Sequence, residues 1–141
     1  MRIYIEVSAK KYESLKRPAS AALSAALSFL KKKNSAVEVY LLTNKEMSRL
    51  NKRLRGRTGA TNVISLQGKN SPRPDLKGVF LGEVFISPAY IKSRGESLFR
   101  ILIHGLLHTL GYTHGHLRDR IKMEALENRI EAHLRTKKIY L

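Results

Sequence analysis

At 141 residues and 16.0 kDa, the chain is long enough to bury a real core and short enough that one domain is expected. It has no cysteine, which excludes disulfides, thiolate metal sites and cysteine nucleophiles, so a transition metal would have to be held by His, Asp or Glu. With 27 Lys and Arg against 11 Asp and Glu, a net charge of +16 and 43% apolar residues, the composition excludes wholesale disorder and points to a folded domain that faces a polyanion.

Ile3, Ile5 and Val7 alternate with polar or amphipathic neighbours, the period of a half-buried strand. The N-terminus has no apolar stretch of the roughly 7 to 15 residues a signal peptide uses. The chain also has no run of about 18 apolar residues able to cross a bilayer. A cytoplasmic protein with no membrane partner is the expectation. Pro18 fits a first helical turn, and Ala19 to Lys33, rich in Ala and Leu and closing on Lys31-Lys32-Lys33, predicts a helix. Val37, Val39 and Leu41 predict a second strand; Thr43 with Glu46 has capping-box spacing and opens a short helix from Lys45 to Leu54, closed by the Gly56 to Gly59 turn.

Thr61 to Leu66 is the third predicted strand, and Gly68 to Gly78, with Pro72 and Pro74, is the irregular segment expected to be most mobile. Val79 to Ile86 is the fourth strand, with Gly82 as a bulge candidate, and Ser87-Pro88 offers an N-cap and first-turn proline. Ser93 with Glu96 is a second capping-box candidate for a helix running to Leu110. The last helix is predicted from Leu117 to Leu134, with Leu117, Ile121, Leu126 and Ile130 on one face.

Four of the five histidines fall between positions 104 and 116. His104 and His108 are one helical turn apart, so their imidazoles stack on one face as two ligands of one ion require. Gly111 can take a left-handed conformation, end the helix and bring His114 back toward the same point. This i, i+4, i+10 spacing with Gly at i+7 is the ligand spacing of the metzincin pattern. Three neutral imidazoles leave a Zn²⁺ ion its full Lewis acidity and a fourth position for water, whose pKa such a site lowers toward ~7. A single histidine on an apolar helix is usually a hydrogen-bonded core residue. Two on one stripe, followed by a glycine and a third at metal spacing, outweigh that reading. His116 lies beyond the spacing and is expected at the surface or behind the ligands, and His133 has no evident partner.

Peptidases with this spacing carry Glu directly after the first ligand as general base, whereas this chain has Gly105. A phosphodiester fits better, because its anionic oxygens need cations near the metal. Arg49, Lys52, Arg53, Arg55 and Arg57 fall in nine residues without an acid, and residues 1–60 hold 14 of the 27 basic residues but only 4 of the 11 acidic ones. These five are the candidates to contact the phosphates of a polyanion. Most such runs are solvated helix faces. Arg55 differs, because it ends its helix beside Gly56, where a guanidinium can be aimed into a cleft to bind phosphate bidentately and act catalytically.

Leu54-Arg55-Gly56, Thr61-Asn62-Val63-Ile64-Ser65, Leu81-Gly82-Glu83-Val84-Phe85-Ile86-Ser87 and His104 to His114 together resemble the YbeY family of bacterial endoribonucleases, over about Val37 to Glu127. The resemblance implies a small α/β domain spanning residues 1–141, with a four-stranded mixed sheet surrounded by helices and the metal site at the end of a central buried helix. It implies His104, His108 and His114 as ligands of one Zn²⁺ per chain, and Arg55 as the functional arginine. The implied activity is single-strand-specific RNA cleavage, in maturation of the small-subunit ribosomal RNA 3′ end and in ribosome quality control. Ribosomal RNA and small-subunit proteins are then the partners, with no DNA specificity. The chain departs from the family at Thr113, where Asp is usual and would supply a carboxylate behind a ligand, and at Leu66-Gln67, where Phe-Pro is usual.

Either water or the substrate's 2′-OH can serve as nucleophile with these residues. Two rivals are a metallopeptidase using Glu83 or Glu96 as base, and a non-catalytic ribosome-associated protein whose structural zinc is closed by His116.

Overall fold

The alternation at Ile3, Ile5 and Val7 becomes strand β1 (Arg2–Val7) in a computed structural model that describes residues 1–68 and 78–139. A 3-10 turn (Lys10–Leu15) leads into α1 (Lys16–Phe29), followed by β2 (Ser35–Leu41), α2 (Asn44–Arg55), β3 (Val63–Gln67) and β4 (Val79–Ile86). Three helices complete the described chain: α3 (Pro88–Ser93), α4 (Leu98–Thr109) and α5 (Leu117–Thr136). Most of the segment expected to be mobile, residues 69–77, lies outside the described residues. Among the described residues no helix is long and apolar enough to cross a membrane.

The sheet has four strands in the order β1-β2-β4-β3, with β1, β2 and β4 parallel and β3 antiparallel to β4. The small α/β domain with a mixed four-stranded sheet is therefore as expected. The β2–β4 register slips between Ala36 and Val37, where Ala36 faces Phe80 and Val37 faces Gly82. Gly82 is thus at the bulge, as its sequence position indicates.

Strand alternation divides the apolar side chains between the two sheet faces. On one face, Val37, Val39, Val84 and Ile86 join the main core with Ala22, Leu23, Ala26 and Leu27 of α1 and Leu102, Ile103, Leu106 and Leu107 of α4. On the other, Met47 and Leu50 of α2 bury Ile64, with Phe85 packed alongside. Helix α4 is apolar on nearly all sides and runs through the centre of the core, which fixes any polar group it carries.

Three local expectations are corrected, and the Ser87-Pro88 start of α3 is met in position though not in its side-chain hydrogen bond. Helix α1 ends at Phe29 instead of Lys33: Lys31 takes a left-handed φ of 59° and the Lys32 amide donates back to the Leu27 carbonyl at 2.8 Å. The three lysines therefore form an exposed turn. Ser93 and Glu96 do not form a capping box, because the chain breaks at Gly95 (φ 68°) and Ser97 caps α4 by accepting from the Arg100 amide at 3.3 Å. Ser87 occupies the N-cap position of α3, but its hydroxyl donates to the Thr61 carbonyl. In α5, Leu117 and Ile121 are exposed; the stripe that enters the core is Met123, Glu127, Ile130 and Leu134. The ring of His133 lies 5.2 Å from that of Phe29.

Candidate metal centre and its cleft

Helix α4 brings His104 and His108 to the same face, and Gly111, at φ 98°, reverses the chain so that His114 returns to them. The ring centroids of His104 and His108 are 4.5 Å apart, those of His108 and His114 4.9 Å, and those of His104 and His114 5.3 Å. One nitrogen from each ring lies within 4.8 Å of the others, a triangle that could hold a metal ion. His104 and His108 are half-buried and His114 is exposed, so the site opens to solvent on the His114 side.

The hydrogen bonds behind the rings test whether a cation fits. His104 Nδ1 lies 3.0 Å from the Glu127 carboxylate and His108 Nδ1 lies 2.8 Å from the Tyr112 carbonyl, both of which only accept. Each neutral ring therefore carries its proton on Nδ1 and a bare lone pair on Nε2. The two Nε2 atoms face each other at 3.0 Å. Two lone pairs at that distance repel unless a positive centre sits between them. Tetrahedral zinc with bonds of about 2.0–2.1 Å places its nitrogens about 3.3 Å apart, so the donor set fits. The His108 imidazole is held below its usual value of 6.5, first by burial and then by the neighbouring His104, which favours the neutral, metal-binding form.

Glu127 is the candidate site residue that no sequence motif singles out. Its side chain is 5% exposed and also faces Arg100 Nε at 3.6 Å, while Arg100 Nη1 reaches Glu131 at 3.0 Å and Asn128 at 2.7 Å. An acid within the buried stripe of a helix was the available signal, because a carboxylate enters a core only with partners. The carboxylate behind the imidazoles thus comes from Glu127, whereas Thr113 is an exposed residue on the cleft wall. Gln67, where the family pattern has proline, donates to the His108 carbonyl at 3.3 Å and ties β3 to the helix that carries two of the imidazoles.

The three histidines line a cleft of about 950 Å³ whose walls also include Arg55, Glu96, Arg100 and Arg120. Arg55 arrives there because Thr43 Oγ1 caps α2 at one end, accepting from the Glu46 amide at 3.2 Å, and Gly56 (φ 67°) ends it at the other. Arg49, Lys52 and Arg53 do not share this cleft; they line a separate hollow with Thr58 and Gly59. Arg57 is exposed on the following turn.

The rival bases are unequally placed. Val84 faces α4, so its neighbour Glu83 projects from the opposite sheet face and cannot serve the histidines. Glu96 is on the cleft wall, within 3.4 Å of the Asn62 amide. Position 105 itself faces the sheet: a Cβ there would sit 2.7 Å from Val84 Cγ1 and 3.0 Å from Val63 Cγ2. The glycine is required by close approach of α4 to the sheet, and no side chain at that position could point to the metal. His116 is the exposed N-cap residue of α5 and is not in the cluster, so it does not close a fourth position.

A family profile described as Endoribonuclease YbeY matches residues 3–135, nearly the whole chain. This chain belongs to the YbeY family. The YbeY relative of Buchnera aphidicola subsp. Baizongia pistaciae, named Endoribonuclease YbeY, is 34% identical over 116 residues, covering 77% of this chain and 74% of its own. That of Francisella tularensis subsp. novicida, with the same name, is 32% identical over 111 residues, covering 72% and 68%. The YbeY chain also superposes on a solution structure of a Thermotoga maritima protein with a TM-score of 0.55 at 21% identity, covering 96% of this chain and 93% of the other, which establishes likeness of fold.

Proposed function

We propose that this YbeY protein is a zinc-dependent endoribonuclease of the cytoplasm, cleaving single-stranded RNA in maturation of the small-subunit ribosomal RNA 3′ end and in ribosome quality control. Small-subunit ribosomal proteins are its proposed neighbours during that work. The observation that carries the reading is the sharing of one cleft by three convergent imidazoles and Arg55. The relatives' name and the net charge of +16 support RNA as substrate.

His104, His108 and His114 would hold one zinc, which when bound supplies a Lewis acid for a phosphoryl oxygen and lowers the pKa of water toward about 7. The remaining work belongs to side chains. Glu127 and the Tyr112 carbonyl hold the His104 and His108 rings with Nε2 free. Arg100, with its Nε 3.6 Å from the Glu127 carboxylate, helps hold that carboxylate in place. Arg55 takes the two non-bridging oxygens of the scissile phosphate in a bidentate grip that strengthens as charge builds on them. Arg49, Lys52, Arg53 and Arg57, outside the cleft, neutralise phosphates further along the strand.

The packing of Gly105 against the sheet and the outward placement of Glu83 weigh against a peptidase. The test is to strip the full chain with a chelator, reload it with zinc and offer it single-stranded RNA, a matched duplex and a peptide library side by side. Zinc-restored cleavage of the single strand is expected. Peptide cleavage without RNA cleavage would overturn the reading.

A further inference from the structure

Tyr112 contributes to the metal cluster only through its backbone: its carbonyl accepts from His108 Nδ1 at 2.8 Å and its amide donates to the Leu107 carbonyl at 3.1 Å. These two bonds fix the Cα relative to the imidazoles and leave the side chain unassigned. That side chain is 38% exposed, and among the described residues its hydroxyl has no hydrogen-bond partner and its ring no aromatic or cationic neighbour. It stands on the wall of the metal cleft and also on the wall of a second hollow of about 280 Å³, completed by Leu30, Lys32, Leu110 and Gly111. Tyr112 is therefore shared by two adjoining depressions, one of which contains the metal cluster.

The far side of the second hollow is the turn that ends α1. Lys31, Lys32 and Lys33 are all exposed there, and among the described residues none is paired with a carboxylate. The Lys31 φ of 59° and the bond from the Lys32 amide to the Leu27 carbonyl at 2.8 Å define the backbone path of the turn at Lys32. A flat apolar surface next to a pocket with a cation at its edge suits one nucleotide of a single strand, with its base against the ring and its phosphate on the ammonium. A duplex cannot use it, since its bases are already stacked on one another.

We propose that Tyr112 and Lys32 form a nucleotide subsite beside the metal cleft, in which Tyr112 stacks an unpaired base and Lys32 receives the adjoining phosphate. The subsite rests on the RNA-cleaving reading and supplies a physical basis for single-strand preference. It also provides contacts for the strand that are separate from the basic run of α2.

The test measures anisotropy of a labelled 2′-O-methyl oligoadenylate on the zinc-loaded full chain across a salt series, with cleavage of unmodified RNA followed in parallel. Tyr112→Ala is expected to weaken binding by at least about fivefold with the salt slope unchanged, and Tyr112→Phe to stay within about twofold of wild type. Lys32→Ala is expected to lower the slope of log affinity against log salt by about 0.7, the value for one phosphate contact on a single strand. Zinc content and melting temperature establish that each variant is folded. If Tyr112→Ala loses its metal, Tyr112→Leu, which keeps an apolar side chain without a ring, repeats the measurement. The subsite is overturned if the alanine variants bind like wild type with an unaltered slope while wild type cleaves RNA. A wild-type chain that binds the oligoadenylate but cleaves no RNA overturns the nuclease reading instead, and the same binding data then decide the subsite.

Discussion

Glu127→Gln keeps the shape of a side chain that is almost wholly buried and removes its charge. In the native protein that carboxylate accepts from His104 Nδ1 at 3.0 Å and faces Arg100 Nε at 3.6 Å. The glutamine oxygen can still accept from the imidazole, but it no longer enriches the ring with electron density, and its amide group must face either the imidazole N–H or the guanidinium. Losses of carboxylates behind metal-binding histidines typically cost about 10- to 100-fold in metal affinity, or about 1.4 to 2.7 kcal/mol. The fold is expected to tolerate the change, because Arg100 keeps Glu131 at 3.0 Å and Asn128 at 2.7 Å and is not left as an unpaired charge. Competition with a chromogenic zinc chelator measures the affinity, and a denaturation curve of the apo protein measures the stability separately. Zinc affinity within twofold of wild type would refute the claim that Glu127 acts through His104. Unfolding of the apo variant would show that the carboxylate serves the core first.

Gly105→Ala is expected to destabilise the protein by about 1–3 kcal/mol in urea denaturation, since the new methyl group would meet Val84 Cγ1 at 2.7 Å; unchanged stability would mean that α4 can lift off the sheet at no cost. Arg55→Lys keeps the charge and loses the bidentate fork. It is expected to lower kcat by about 10²-fold with zinc content unaltered, and an undiminished rate would remove Arg55 from the site. Because burial holds the His108 imidazole below 6.5, the unfolded chain binds a proton there before the folded one does. The stability His108 contributes is therefore complete above pH 6.5 and falls as the pH drops below it; the apo protein's denaturation midpoint should decline over that range, and less so in His108→Gln.

The parts of the site visible in the sequence are those set by local geometry. His104 and His108 share a face because four residues make about one helical turn, and Gly111 announces the reversal that returns His114. Arg55 was legible from the cap at Gly56. What stayed hidden depends on which elements pack together. Glu127 is distant in sequence from His104 and meets it only because α5 lies along α4, and the misread stripe on α5 concealed it: Leu117 and Ile121 look like core residues but sit exposed at the start of that helix. Gly105 shows the same limit from the other side. In sequence it reads as a missing base, whereas in the fold it is a point of close approach between helix and sheet. The order β1-β2-β4-β3 puts β4 next to β2, an adjacency that no local pattern in either strand encodes.

The central claim, that His104, His108 and His114 hold the ion on which RNA cleavage depends, is tested most directly by elemental analysis of the purified chain and of His108→Ala, each followed by a single-stranded RNA cleavage assay. Wild type should carry about one equivalent of zinc and cleave, and His108→Ala should retain its fold, lose the metal and lose cleavage together. Undiminished cleavage by metal-free His108→Ala would contradict the account.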